Sequence, residues 1–125
     1  MSTDPGAANQ PFNITNGDIF RWVDMWPAIA DYFDMEAGPA QKIDLVNTMA
    51  DQSQQWKSLA QKHDLVPIPY EQLVGWDYGN RVFTPEFDMI SSTTKARQYG
   101  FSEFQDSQEM FLRQFDELRQ NRIIP

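Results

Sequence analysis

The stretch FNITNGDIFRWVDMWPAIADYF, Phe12–Phe33, decides how the chain is read. Asn16-Gly17 is a dipeptide that supplies the two positive-φ residues of a tight hairpin turn. Phe12–Ile14 and Ile19-Phe20 on either side are therefore expected to run back beside each other as short strands. From Trp22 the apolar period changes. Trp22, Met25, Trp26, Ile29, Ala30 and Phe33 recur at steps of three and four, which makes one buried stripe of a helix. Pro27 lies inside that pattern and removes one backbone hydrogen bond, so a kink or a delayed start is expected. Gly38-Pro39 stop the element.

Working outward, the same period marks further helices. Asp106 with Glu109 three residues on forms a capping box, and Phe111, Phe115 and Leu118 form the stripe behind it. Arg119 and Arg122 sit at the negative end of that helix dipole. Ser91–Phe101 reads as a short capped helix closed by Gly100. Asp51 is placed to cap a helix over Gln52–His63, whose apolar face is Trp56, Leu59 and Ala60. A third helix is expected over Tyr70–Phe83, with Leu73, Trp76, Gly79 or Asn80, and Phe83 on one side. Gly75 and Gly79 lie four apart and leave one face of that helix bare, so another element is expected to pack closely there. Ile43–Ala50 reads equally as a short helix or an extended piece. The fold class is mainly α with a small β element, α+β, with four or five helices. Residues 1–9 read as a disordered leader or an arbitrary start, and 10–125 as one domain.

Composition narrows the function classes. The formal charge is −8, from 18 acids against 10 bases, which disfavours a phosphate-tracking surface or an anionic membrane surface. Cysteine is absent, which excludes disulfides, thiolate zinc sites and a cysteine nucleophile. No apolar run approaches the roughly 20 residues of a spanning helix, and no signal-peptide core opens the chain. The cytoplasm is the expected location, and the Asn13 sequon is read as unused.

Candidate chemistry is sparse. His63 is the only histidine and is placed at a helix C-terminus, where a cation favours the dipole. The carboxylates are scattered and lack the spacing of a calcium loop. No Gly-rich phosphate cradle can be built from the six glycines. No metal site and no catalytic residue is assigned. Trp76, Tyr78 and Phe83 straddle more than one helix face beside two glycines, and lining a pocket and plain packing remain equal readings.

Four ordered stretches carry a resemblance: Phe12–Phe33 with its T-N-G-D turn, MADQSQQWKSLAQKHDL, FDMISSTTKARQYGF, and DSQEMFLRQFDELRQNRIIP. Together they resemble the C-terminal region of extended short-chain dehydrogenases/reductases, closest to the progesterone 5β-reductase and iridoid synthase branch. The resemblance runs from about Asn9 to Pro125. It implies the substrate domain of an α/β NAD(P)-binding Rossmann enzyme, epimerase/dehydratase-like, with the Rossmann half absent. The family's Tyr-x-x-x-Lys pair is not found: four residues after Tyr32, Tyr70, Tyr78 and Tyr99 stand Glu36, Val74, Val82 and Glu103. The resemblance places Tyr78, Gly79, Val82 and Phe83 at the substrate. Gly79 and Asp77 stand where bulky aromatics are usual in the plant enzymes, so a differently shaped substrate is expected.

The resemblance thus implies a substrate-binding fragment of an NAD(P)-dependent reductase, cut from a longer chain or encoded as a short gene. No cofactor is assigned to the fragment itself; NAD(P)H is expected for the parent. Alone it is expected to bind no dinucleotide and to catalyse nothing. Its expected partners are a carbonyl or enone substrate, the Rossmann half and, without that half, a second copy of itself; nucleic acid and membrane are not expected. A stand-alone small-ligand or interaction module is the alternative, and a helical enzyme with an unrecognised site the third reading. In the leading reading TNGD is a turn, with Asn16 and Asp18 satisfying local backbone groups, and the tryptophans fasten the first helix to the core.

Overall fold

The computed structural model describes residues 5–125. About half of them are helical, and among them there is almost no β structure. After a 3-10 turn at Pro5–Ala7 come α1 (Trp22–Tyr32), α2 (Leu45–Met49), α3 (Ser53–Lys62), α4 (Tyr70–Leu73), α5 (Trp76–Phe83), α6 (Thr94–Gln98) and α7 (Ser107–Gln120). Of the leader expected over 1–9, residues 1–4 lie outside the described residues. The chain forms two compact units. The first combines residues up to Ala37 with Met89–Leu112, and the second combines Gly38–Asp88 with Arg113–Pro125.

In the first unit α1 forms where the apolar period begins. Its first turn is capped through backbone alone, with Asp24 and Met25 N–H donating to the Arg21 carbonyl. The helix starts on time and runs through Pro27, so the proline does not delay it. Met25 and Ile29 are buried, and each such side chain contributes about 1.5–3 kcal/mol of transfer free energy. Trp22 is half-buried against Phe20 and Phe111, with ring centroids 5.2 and 5.9 Å away. Trp26 is 47% exposed, so only the first of the two tryptophans is largely covered by this unit. Before α1, Lys95 fastens the incoming segment. Its ammonium donates to Gln10 Oε1 (3.0 Å) and the Pro11 carbonyl (3.1 Å) and lies 5.0 Å from the Phe12 ring centroid.

The expected hairpin is not there. A type I′ turn needs positive φ at both central residues, and only Gly17 has it, at 97°. The Asn16 carbonyl instead accepts from Gln105 N–H at 2.7 Å, and Gly17 forms a parallel bridge with Gln105. Thr15 Oγ1 accepts locally from Gly17 N–H at 3.2 Å, but the Asn16 and Asp18 side chains reach far along the chain. Asp18 accepts from both Ser107 N–H (2.7 Å) and Ser107 O–H (2.8 Å). Asn16 Nδ2 donates to Ser107 Oγ at 2.9 Å. TNGD is therefore a clasp on the N-terminus of α7, across a separation of 89 residues. Ser107 is 2% exposed, and its free backbone N–H, one of the four orphan donors of a helix start, is satisfied by the Asp18 carboxylate. Asp106 caps the same end, as expected, by accepting from Glu109 N–H at 2.9 Å. Glycine is needed at 17 on two grounds: its φ, and a Cβ there would lie 3.1 Å from Phe104 Cδ2.

Four helices end in the same way. Beyond α1, α3, α6 and α7, the residues Asp34, Asp64, Gly100 and Arg122 take positive φ. The next residue's N–H then returns to a carbonyl of the last turn: Met35 to Ala30 (2.8 Å), Leu65 to Ala60 (2.9 Å), Phe101 to Ala96 (3.0 Å) and Ile123 to Leu118 (2.8 Å). These are Schellman motifs. They stop α1 at Tyr32, ahead of the expected Gly38-Pro39 signal, because the αL turn at Asp34 has already ended the helix.

In the second unit side-chain bonds to backbone tie short helices together. Trp56 Nε1 donates to the Ile68 carbonyl (2.9 Å), and Tyr70 O–H donates to the Met49 carbonyl (2.7 Å). Asp51 does not cap α3. Gln52 holds the N-cap position, with Trp56 N–H on its carbonyl at 2.9 Å. His63 ends α3 as its C-cap, as expected. The single helix expected over Tyr70–Phe83 is two, because Val74 is extended (φ −146°, ψ 137°) and Gly75 restarts the chain as the N-cap of α5. The undecided Ile43–Ala50 contains helix α2, capped by Asp44, whose carboxylate accepts from Asn47 N–H at 3.2 Å.

Candidate functional site

The four residues expected at a substrate all lie on α5. At about 100° per residue, Tyr78, Val82, Gly79 and Phe83 fill one continuous arc of about 140°. α5 is thus amphipathic, with Asp77 and Arg81 on the far side forming an exposed pair at 3.0 Å. Screening by water and salt makes that pair worth little.

The arc has two parts. Gly79 faces α2, and a Cβ at 79 would stand 3.0 Å from Leu45 Cδ1, so the close packing expected at the bare glycine face is present. Beside it, Val82 is half-buried, Phe83 is 43% exposed and Tyr78 is 67% exposed. The structure brings the four residues onto one helix flank but closes no cavity over them. An open hollow of about 520 Å³ lies on α3, among Gln54, Gln55, Ser58, Leu59 and Lys62. A cleft of about 10 Å³, the size of one water, lies beside the TNGD clasp, among Asn13, Thr15, Arg97 and Glu103. Neither is lined by Tyr78, Gly79, Val82 or Phe83.

Asn80, placed on the packed side of the expected helix only as an alternative to Gly79, has a role that sequence reading did not assign. Its Oδ1 accepts from Leu45 N–H at 2.7 Å, and its Nδ2 donates to Asp44 Oδ1 at 3.0 Å. One amide side chain therefore holds α5 against the start of α2. The bond from Asn80 is the main cause that holds the Asp44 carboxyl below its ordinary value of 3.8, with the Asn47 N–H adding to it. The signal was present in part: Asp44 followed three residues on by Asn47 is an N-cap pattern. Trp76 lies on the same helix, and its indole nitrogen is buried with no hydrogen-bond partner among the described groups. Its ring tilts against Tyr70, with centroids 6.2 Å apart. No group of three metal-ligating side chains occurs among the described residues. No helix among them is long and apolar enough to cross a membrane.

Comparison with known proteins gives this flank a context. The (S)-8-oxocitronellyl enol synthase of Antirrhinum majus is 33% identical over 99% of the chain, which corresponds to 33% of that enzyme. The enzyme of the same name from Catharanthus roseus is 31% identical over the same shares. The 3-oxo-Δ(4,5)-steroid 5β-reductase of Arabidopsis thaliana is 28% identical over 99% of the chain and 32% of its own length.

The chain is homologous to the C-terminal third of these enzymes. The resemblance drawn from the four sequence stretches therefore holds, iridoid synthases and progesterone 5β-reductase lying in one branch. So does the expectation of a helix-rich C-terminal region. The chain spans about a third of the length of the curated relatives it matches. No family model matches it.

Proposed function

We propose that the chain is the substrate-binding C-terminal part of an NAD(P)-dependent reductase of the short-chain dehydrogenase/reductase type. The observation that carries this reading is homology over 99% of the chain to only a third of each relative. The relatives' names supply a substrate class. One acts on a 3-oxo-Δ(4,5)-steroid, an enone, and the others make an 8-oxo enol. We extend a carbonyl or enone substrate to this chain.

In this reading NAD(P)H, bound by the rest of the enzyme, supplies a hydride. Catalytic acid and base groups also come from that part. The chain's own contribution is a wall. Tyr78, Val82 and Phe83 offer apolar surface to the substrate skeleton, and Gly79 lets Leu45 set the depth behind them. Asn80 positions the wall against α2. The cytoplasm is the compartment that goes with this reading. Isolated from the remaining two thirds, the chain self-associates through its exposed apolar surface.

The test is a chimera in which this chain replaces the C-terminal third of the Antirrhinum majus enzyme. NAD(P)H consumption with a 3-oxo-Δ(4,5)-steroid and with a smaller acyclic enone is the readout. The chimera is expected to turn over at least one of them, while the isolated chain consumes no NAD(P)H. Turnover by the isolated chain would overturn the proposal. Sedimentation velocity of the isolated chain gives a second readout: association rising with concentration is expected, and a clean monomer contradicts it.

A further inference from the structure

We infer that the exposed flank of α1 is the docking face for the part of a full-length enzyme that lies outside the matched third. This inference rests on the function proposed above. α1 is apolar nearly all round. Its only charged side chains, Asp24 and Asp31, are seven residues apart and so fall on one narrow line about two turns long. Met25 and Ile29 occupy the buried side. A second apolar flank carries Val23, Trp26 and Pro27, and Val23 is 64% exposed. Ile19, just before the helix, is 74% exposed. A helix apolar on both flanks is the pattern of one covered from two sides. Contiguous exposed apolar faces mark interaction sites.

Length argues for the occupant. The relatives are about three times as long as the matched region, so two thirds of such an enzyme is available to cover this flank. The surface that fits it is apolar at the centre, over Val23.

The chain has no cysteine, so an introduced one is a unique reporter in it. Val23→Cys and Asp31→Cys are made in the isolated chain and in the chimera with the Antirrhinum majus enzyme. Maleimide labelling of each site is followed by peptide mass spectrometry at micromolar protein. The expected result is that Val23→Cys reacts at least about tenfold more slowly in the chimera, while Asp31→Cys reacts alike in both. Equal rates for Val23→Cys would overturn the inference. Protection that grows with concentration in the isolated chain and is absent from the chimera would assign the face to a second copy instead, and would also overturn it.

A measurement on the isolated chain alone stands beside it. Val23→Asp is expected to leave its Tm unchanged, because the flank is open; a clear drop would show the flank already packed and contradict the docking face. Chimera turnover is read separately. Protection without turnover keeps the docking face and removes the substrate-wall reading, whereas turnover without protection does the reverse.

Discussion

The two units are held by different forces. In the first, Met25, Ile29, Ala96 and Ser107 are buried, and a carboxylate, a hydroxyl and an amide close a clasp on the start of α7. In the second, no described residue is buried to that degree. Its short helices are joined by single bonds from Trp56, Tyr70 and Asn80 to backbone groups. Local opening costs least where buried apolar contact is sparse. The second unit is therefore the softer one, and it carries the proposed substrate wall. A wall that adapts to its ligand belongs there, and the rigid clasp belongs where it fixes helix direction.

Substitutions can break this contrast, and the largest effect is expected in the first unit. Asp18→Ala strips both the N–H and the O–H of the buried Ser107 of their acceptor. Unsatisfied buried donors make this cost about 3 kcal/mol, read as a loss of Tm by circular dichroism. A change within error would mean that water replaces the carboxylate and that the clasp is not a fastening.

Next comes Gly79→Val, which drives a branched side chain into Leu45 at a site that offers only 3.0 Å to a Cβ. Overpacking of this kind costs about 2 kcal/mol. The cost is expected to shrink in a Leu45→Ala background, and equal costs in both backgrounds would show that the two residues do not compete for the space. Asn80→Ala should cost less, about 1 kcal/mol, because Leu45 N–H can turn to water.

The smallest effect is a pH dependence. The Asp44 carboxyl is held below 3.8 in the folded chain, so the folded state releases the proton more readily than the unfolded one. Its stabilisation is full above that value and is lost as pH falls through the folded value. Urea titrations between neutral and strongly acidic pH should show this acid loss in the native chain, and less of it in Asn80→Ala. An identical acid limb in both would remove Asn80 as its cause.

What the sequence showed and what it hid follow from physical range. The 3.6 period and the Asp106 cap are local, and α1, α6 and α7 were legible from them. Stops were legible at α3, where His63 was placed at the C-terminus, and at α6. Gly100 announced the end of α6, while Asp34, Asp64 and Arg122 took the same αL geometry without the residue type that usually marks it. The Asn16-Gly17 signal was read with hairpin rules, yet its donors and acceptors answer to Gln105 and Ser107, which no local rule can find. On α5 the glycine spacing foretold a close neighbour. It did not foretell that the neighbour is Leu45, or that Asn80 would hold the two helices together.

Tyr78, Val82 and Phe83 on α5 are the residues proposed to contact the substrate. The most direct test is the KM of the chimera carrying Tyr78→Ala, measured with the enone it reduces best. Tyr78 is 67% exposed, so the Tm of the isolated chain should not change. A KM raised about tenfold at that unchanged Tm is expected, the scale of one lost apolar contact. An unaltered KM for a folded, active chimera would contradict it and place the substrate on another surface.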